Sequence, residues 1–101
     1  MQLIAQFLEL RHQLIGHLTS WVNNTYYIPP EAMTSMIEQA IRDIGMYEVS
    51  LGNRSFSRKC HEIQGILSYA SRGLRAERKL TRNIARALDD AVARLRQLQI
   101  S

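Results

Sequence analysis

The residues best suited to chemistry in this chain are Cys60 and His61, adjacent in the sequence and preceded by Arg58 and Lys59. A thiol beside Lys59 and His61 can be held as a reactive thiolate if it reaches solvent. Cys60 also falls on the stripe Phe56, Cys60, Ile63, Leu67 and Ala70, which favours a buried, inert thiol. His61 lies ~100° off that seam, in line with Gly65, Ser68 and Arg72. A glycine one turn away removes side-chain bulk and leaves the imidazole within reach. Other reaction centres are missing. His12 and His17 are five apart, so they fall on different faces of a helix, and no His-Glu-x-x-His pair offers a zinc site. Asp89 and Asp90 point ~100° apart on a helix and suit ion pairing with Arg86 and Arg94 better than joint acid–base work. No glycine-rich loop precedes a Lys-Ser or Lys-Thr, and no serine sits in a Gly-x-Ser-x-Gly elbow. One cysteine excludes an internal disulfide or a cysteine-rich zinc ribbon. The sequence predicts no enzyme, no metal and no cofactor.

Around His61, the run Cys60-His61-Glu62-Ile63-Gln64-Gly65 resembles the His-x-Leu-Lys-Gly motif of histidine phosphotransfer domains, which are helical bundles of about this length. The resemblance implies that His61 carries a phosphoryl group between response-regulator aspartates, with Gly65 giving room for close approach. Gln64 stands where that family has lysine, and Ile66 and Leu67 follow where it prefers small residues. The 40 residues after His61 leave room for one more helix, where the family usually has at least two. Residues 36–98 also look like the flagellar and type III secretion export chaperones, in having an apolar helix, a turn at Gly52-Asn53 and two amphipathic helices. That likeness implies a bundle that holds a helical segment of another protein.

Two surface features carry the functional expectation. Residues 54–86 hold nine basic side chains against Glu62 and Glu77. If residues 74–98 form one helix, Arg75, Arg78, Lys79, Arg82 and Arg86 fall within ~100° of one another, opposite Leu80, Ile84, Leu88 and Leu95. Together with Arg72 they make a cationic ridge suited to an acidic protein surface, a second copy of the chain, or nucleic acid through phosphate contacts. The stretch Tyr26-Tyr27-Ile28-Pro29-Pro30 is the second feature: tyrosines can lay a ring on apolar surface and keep the hydroxyl wet. In a loop they more often serve to pin it over the bundle end, with Trp21, than to bind a partner.

These side chains must be positioned by helices. Leu3, Phe7, Leu10, Leu14, His17 and Trp21 alternate steps of four and three, predicting a helix over 2–22. Pro29-Pro30 opens a second over 30–50, whose seam is Met33, Ile37, Ala40, Ile41, Ile44 and Tyr47. A third is expected over 54–71 after a left-handed turn at Gly52, with Asn53 or Ser55 as its cap. A fourth is expected over 74–98, with Gly73 as the break; one bent helix over 54–98 is the alternative. With no strand-like alternation and no repeat, the expectation is all-α: one domain of 101 residues, an antiparallel four-helix bundle with short loops.

Composition agrees with a packed core, with 46% hydrophobic and 22% charged residues. The net charge of +4 conceals −3 in residues 1–50 and +7 in residues 51–101, and arginine outnumbers lysine eleven to two. No apolar run approaches the ~20 residues that span a bilayer, and the opening Met1-Gln2-Leu3-Ile4-Ala5-Gln6 lacks the character of a secretory signal. The expected location is cytoplasmic, with no membrane partner. The function these features point to is a non-catalytic protein-binding module, an adaptor or chaperone-like regulator and possible homodimer, with phosphotransfer through His61 and nucleic-acid binding as alternatives.

Overall fold

The computed structural model describes residues 2–24 and 27–99. Four helices follow one another, α1 (Gln2–Val22), α2 (Pro30–Leu51), α3 (Arg54–Glu77) and α4 (Arg82–Gln97), and the described residues contain no strand. Cross-helix contacts show that neighbours run antiparallel. Glu48 meets Ser57 and Glu38 meets Ser71, while Glu62 meets Arg94. Arg11 donates to the Leu98 carbonyl at 2.7 Å, level with the end of α4. The bundle is therefore up-down-up-down, with α1 closing against both α2 and α4.

The helices bury most of the stripe their spacing predicts, but in α1 the seam residue His17 is exposed and Leu18, from its flank, is buried. Phe7, Leu14, Leu18 and Trp21 from α1 join Ile37, Ile44, Ile63, Leu67, Leu88 and Leu95 in a single core. Phe7 meets the rings of Tyr47 and Phe56 edge to face at 5.5 and 5.4 Å. Asn53 caps α3 by accepting from the Phe56 N–H at 2.8 Å. Gly52 does end α2, but with φ −70°, so the predicted left-handed turn is absent. Glycine is required there by space, because a Cβ would collide with the Glu48 carbonyl.

The last two helices are separate, but the break begins five residues beyond Gly73, at Arg78. Gly73 is inside α3, where a Cβ would stand 3.0 Å from the Ile84 side chain; the missing side chain lets α4 pack closely. Leu74, 1% exposed, continues the apolar stripe of α3 and carries the helix past the expected stop. Arg78 is the true terminator, in the left-handed region at φ 58°, its N–H donating to the Leu74 carbonyl at 2.9 Å. Thr81 then caps α4, its hydroxyl accepting from the Ile84 N–H at 3.3 Å.

Glycine holds the left-handed conformation without the Cβ penalty of about 1–2 kcal/mol that an L-residue meets. Arg78→Gly is accordingly expected to raise stability by roughly 1 kcal/mol, read as a higher urea midpoint at unchanged slope. A lower midpoint would contradict the assignment of Arg78 as the strained cap.

Candidate protein-binding site at one end of the bundle

In an antiparallel bundle the first and third connections lie at the same end, so the loop after α1 and the turn after α3 become neighbours. Between them is an open hollow of about 480 Å³. Trp21, Tyr27, Ile28 and Met33 line it from in and beside the first connection, and Arg78, Lys79, Leu80, Thr81 and Arg82 from in and beside the third. Its floor is apolar. Trp21 is 3% exposed, its ring stacked with His17 at a centroid distance of 6.2 Å, and Ile28 and Leu80 are half-buried. Tyr27 is 75% exposed on the rim. Tyr26, the other tyrosine expected here, lies outside the described residues.

The cationic ridge is divided by the turn at Arg78–Thr81. Arg75 belongs to α3 and Arg82 and Arg86 to α4, while Arg78 and Lys79 sit in the turn between them. Arg75 turns towards α2 and grips Glu38, its Nη2 2.6 Å from Oε2 and 2.8 Å from Oε1. Arg72 donates to Ser68 Oγ and lines a separate hollow with Tyr69 and Glu77. Among the described residues, Arg78, Lys79, Arg82 and Arg86 make no ion pair, whereas Arg75 and Arg94 do. The structure thus gathers Tyr27, Arg78, Lys79 and Arg82 at one hollow and leaves Arg72, Arg75 and Arg86 outside it.

Glu38 accepts from both Arg75 and Ser71, and these donors hold its carboxyl below the ordinary glutamate range. A carboxylate with a lowered folded pKa stabilises the fold above the ordinary value and loses that contribution as pH falls through the lowered one. Glu38→Gln is therefore expected to melt below the parent at neutral pH. The gap should narrow as pH drops below about 4, in thermal melts followed by circular dichroism. A gap that widens in acid would contradict this linkage.

Around Cys60 the geometry favours packing. The thiol is fully buried, and burial, reinforced by the Glu48 charge, pushes its pKa up to about 11, so at neutral pH it is protonated. His61 is exposed, with Nε2 3.3 Å from Glu48 Oε1, and the other carboxylate oxygen of Glu48 accepts from Ser57 Oγ at 2.6 Å. A phosphoryl group on that nitrogen would have to displace a carboxylate. Gln64, at the lysine position of the phosphotransfer motif, points inward instead and donates to the Ile41 carbonyl at 2.9 Å, in space left by Gly45.

Trp21, Ile28, Leu80 and Thr81 are the site residues that sequence reasoning did not assign. The signal was present in Thr81: a threonine three residues before Ile84 is a helix N-cap pattern, and a start there puts residues 78–81 beside the first loop. Among the described residues, no helix is long and apolar enough to cross a membrane and no group of three or more His, Cys, Asp or Glu side chains converges as metal ligands. Comparison with protein-family models, with curated proteins and with solved structures gives no match to this chain.

Proposed function

We propose that the chain is a non-catalytic protein-binding module that engages a partner polypeptide through the hollow between its first and third connections. The observation that carries this reading is the pairing of an apolar floor with a rim of three cations that lack any carboxylate partner among the described residues. Apolar anchors entering such a recess supply free energy, while rim charges set partner choice and encounter rate. Arg78 adds support, since a non-glycine residue kept in the left-handed region is strain of the kind that clusters at binding sites. An adaptor or a chaperone-like holder of another protein's segment both fit this mode of action.

Site-directed photocrosslinking in the native host tests it. A photoreactive residue at position 27 or 82 is expected to trap a distinct partner, and one at Val49, 80% exposed in the last turn of α2 at the opposite end of the bundle, is expected to trap none. Equal trapping from all three positions, or trapping only from Val49, would overturn the reading.

A further inference from the structure

We propose that the hollow receives an acidic segment bearing one bulky apolar side chain, which enters over Trp21 while its carboxylates meet Arg78, Lys79 and Arg82. This rests on the protein-binding reading above and names the chemistry of the partner.

Charge complementarity carries the proposal. Arg78, Lys79 and Arg82 lie within five residues, all exposed, and none is matched by an ion pair among the described residues. Like charges so closely spaced repel one another, and an arriving anionic segment relieves that repulsion. Arginine adds a planar fork that matches carboxylate geometry. The floor requires a second element. Ile28 and Leu80 are left half-buried beside Trp21, so a purely acidic ligand would leave this apolar surface uncovered, and a bulky side chain would bury it.

Two other occupants fit less well. Nucleic acid needs cations along a track and exposed rings on which successive bases stack. Here the cations at the hollow form one cluster and Trp21 is 3% exposed, leaving Tyr27 as the one freely exposed ring lining it among the described residues. In a second copy of this chain the exposed carboxylates Glu62 and Asp90 are already paired with Arg94. Glu38 is committed to Arg75 and Glu48 to Ser57 and His61, while Glu9 and Asp43 are bonded to glutamines on separate helices.

Trp21 is the sole tryptophan, so its emission reports occupancy of the hollow directly. The probes are a short glutamate-rich peptide with one phenylalanine, the same peptide with Glu→Gln throughout, the same peptide with Phe→Ser, and a single-stranded oligothymidine. The full chain is expected to change emission with the first probe, with affinity falling as salt rises. Either peptide replacement, or Arg82→Glu in the protein, should weaken binding by about tenfold or more.

Equal binding of the glutamine peptide would overturn the acidic assignment and leave apolar docking, and with it the protein-binding reading, in place. Preference for oligothymidine would overturn it in favour of nucleic acid. No response to any probe, with crosslinking from position 27 still trapping a partner, would remove the acidic segment as occupant while the docking end stands.

Discussion

Phe7→Ala is expected to lower stability by about 3–5 kcal/mol. Phe7 is 1% exposed and meets Tyr47 and Phe56 edge to face, so truncation removes two aromatic contacts and leaves a cavity. Each such pair contributes ~0.5–1.5 kcal/mol beyond the area it buries. Position amplifies the effect. The Arg11–Leu98 hydrogen bond marks where α4 ends, so the first turns of α1 extend past it, and Ile4 and Leu8 there are 36% and 41% exposed. Phe7 is the fully buried anchor of that segment. A domain of this size has a total stability of ~5–15 kcal/mol, so the variant should unfold at much lower denaturant and show fast amide exchange in the first turns of α1. Leu8→Ala, at an exposed position, should cost less than about 1 kcal/mol. A loss of similar size for the two variants would mean that the start of α1 is not docked as described.

The combined substitution Arg78→Gly, Lys79→Ala, Arg82→Ala is expected to weaken partner binding by roughly 10- to 100-fold. Three rim charges contribute ~0.2–1 kcal/mol apiece, more where the contact is desolvated, and each 1.4 kcal/mol is about tenfold in affinity. The design separates binding from folding. Glycine relieves the left-handed strain at Arg78, and neither Lys79 nor Arg82 makes an ion pair among the described residues, so the fold should be as stable as the parent or more so. The crosslinked partner, once identified, is the ligand for titration calorimetry at two salt concentrations. Unchanged affinity, with unchanged salt dependence, would show that these cations are merely solvated.

Helix existence, seam residues and the antiparallel arrangement were legible because apolar spacing at three and four residues is imposed by burial itself. The start of α2 was legible for a related reason, since Pro30 at the first helical position has a fixed φ and no N–H to lose. The end of α3 was not. Gly73 looks like a terminator because glycine ends helices freely, but its absent side chain is also what close packing against Ile84 demands, and only the fold distinguishes the two uses. Arg78 in turn shows that a left-handed cap need not be glycine.

That misplacement propagated to the site. With helix four started at 74, five cations align on one ridge; with the turn at Arg78–Thr81, Arg75 swings towards Glu38 and three cations gather beside Tyr27. The meeting of two connections about fifty residues apart in sequence is a consequence of helix lengths and topology, for which no local pattern stands proxy.

Docking of a partner at the end of the bundle formed by the loop after α1 and the turn after α3 is read from backbone amide shifts of the isotope-labelled chain, recorded as the partner is added. The largest changes are expected on residues 21–24, 27–33 and 78–85, with the Trp21 indole among them. Changes concentrated instead along the outer face of α2, at Met46 and Val49, or on the first turns of α3, at Arg54 and Arg58, would contradict it.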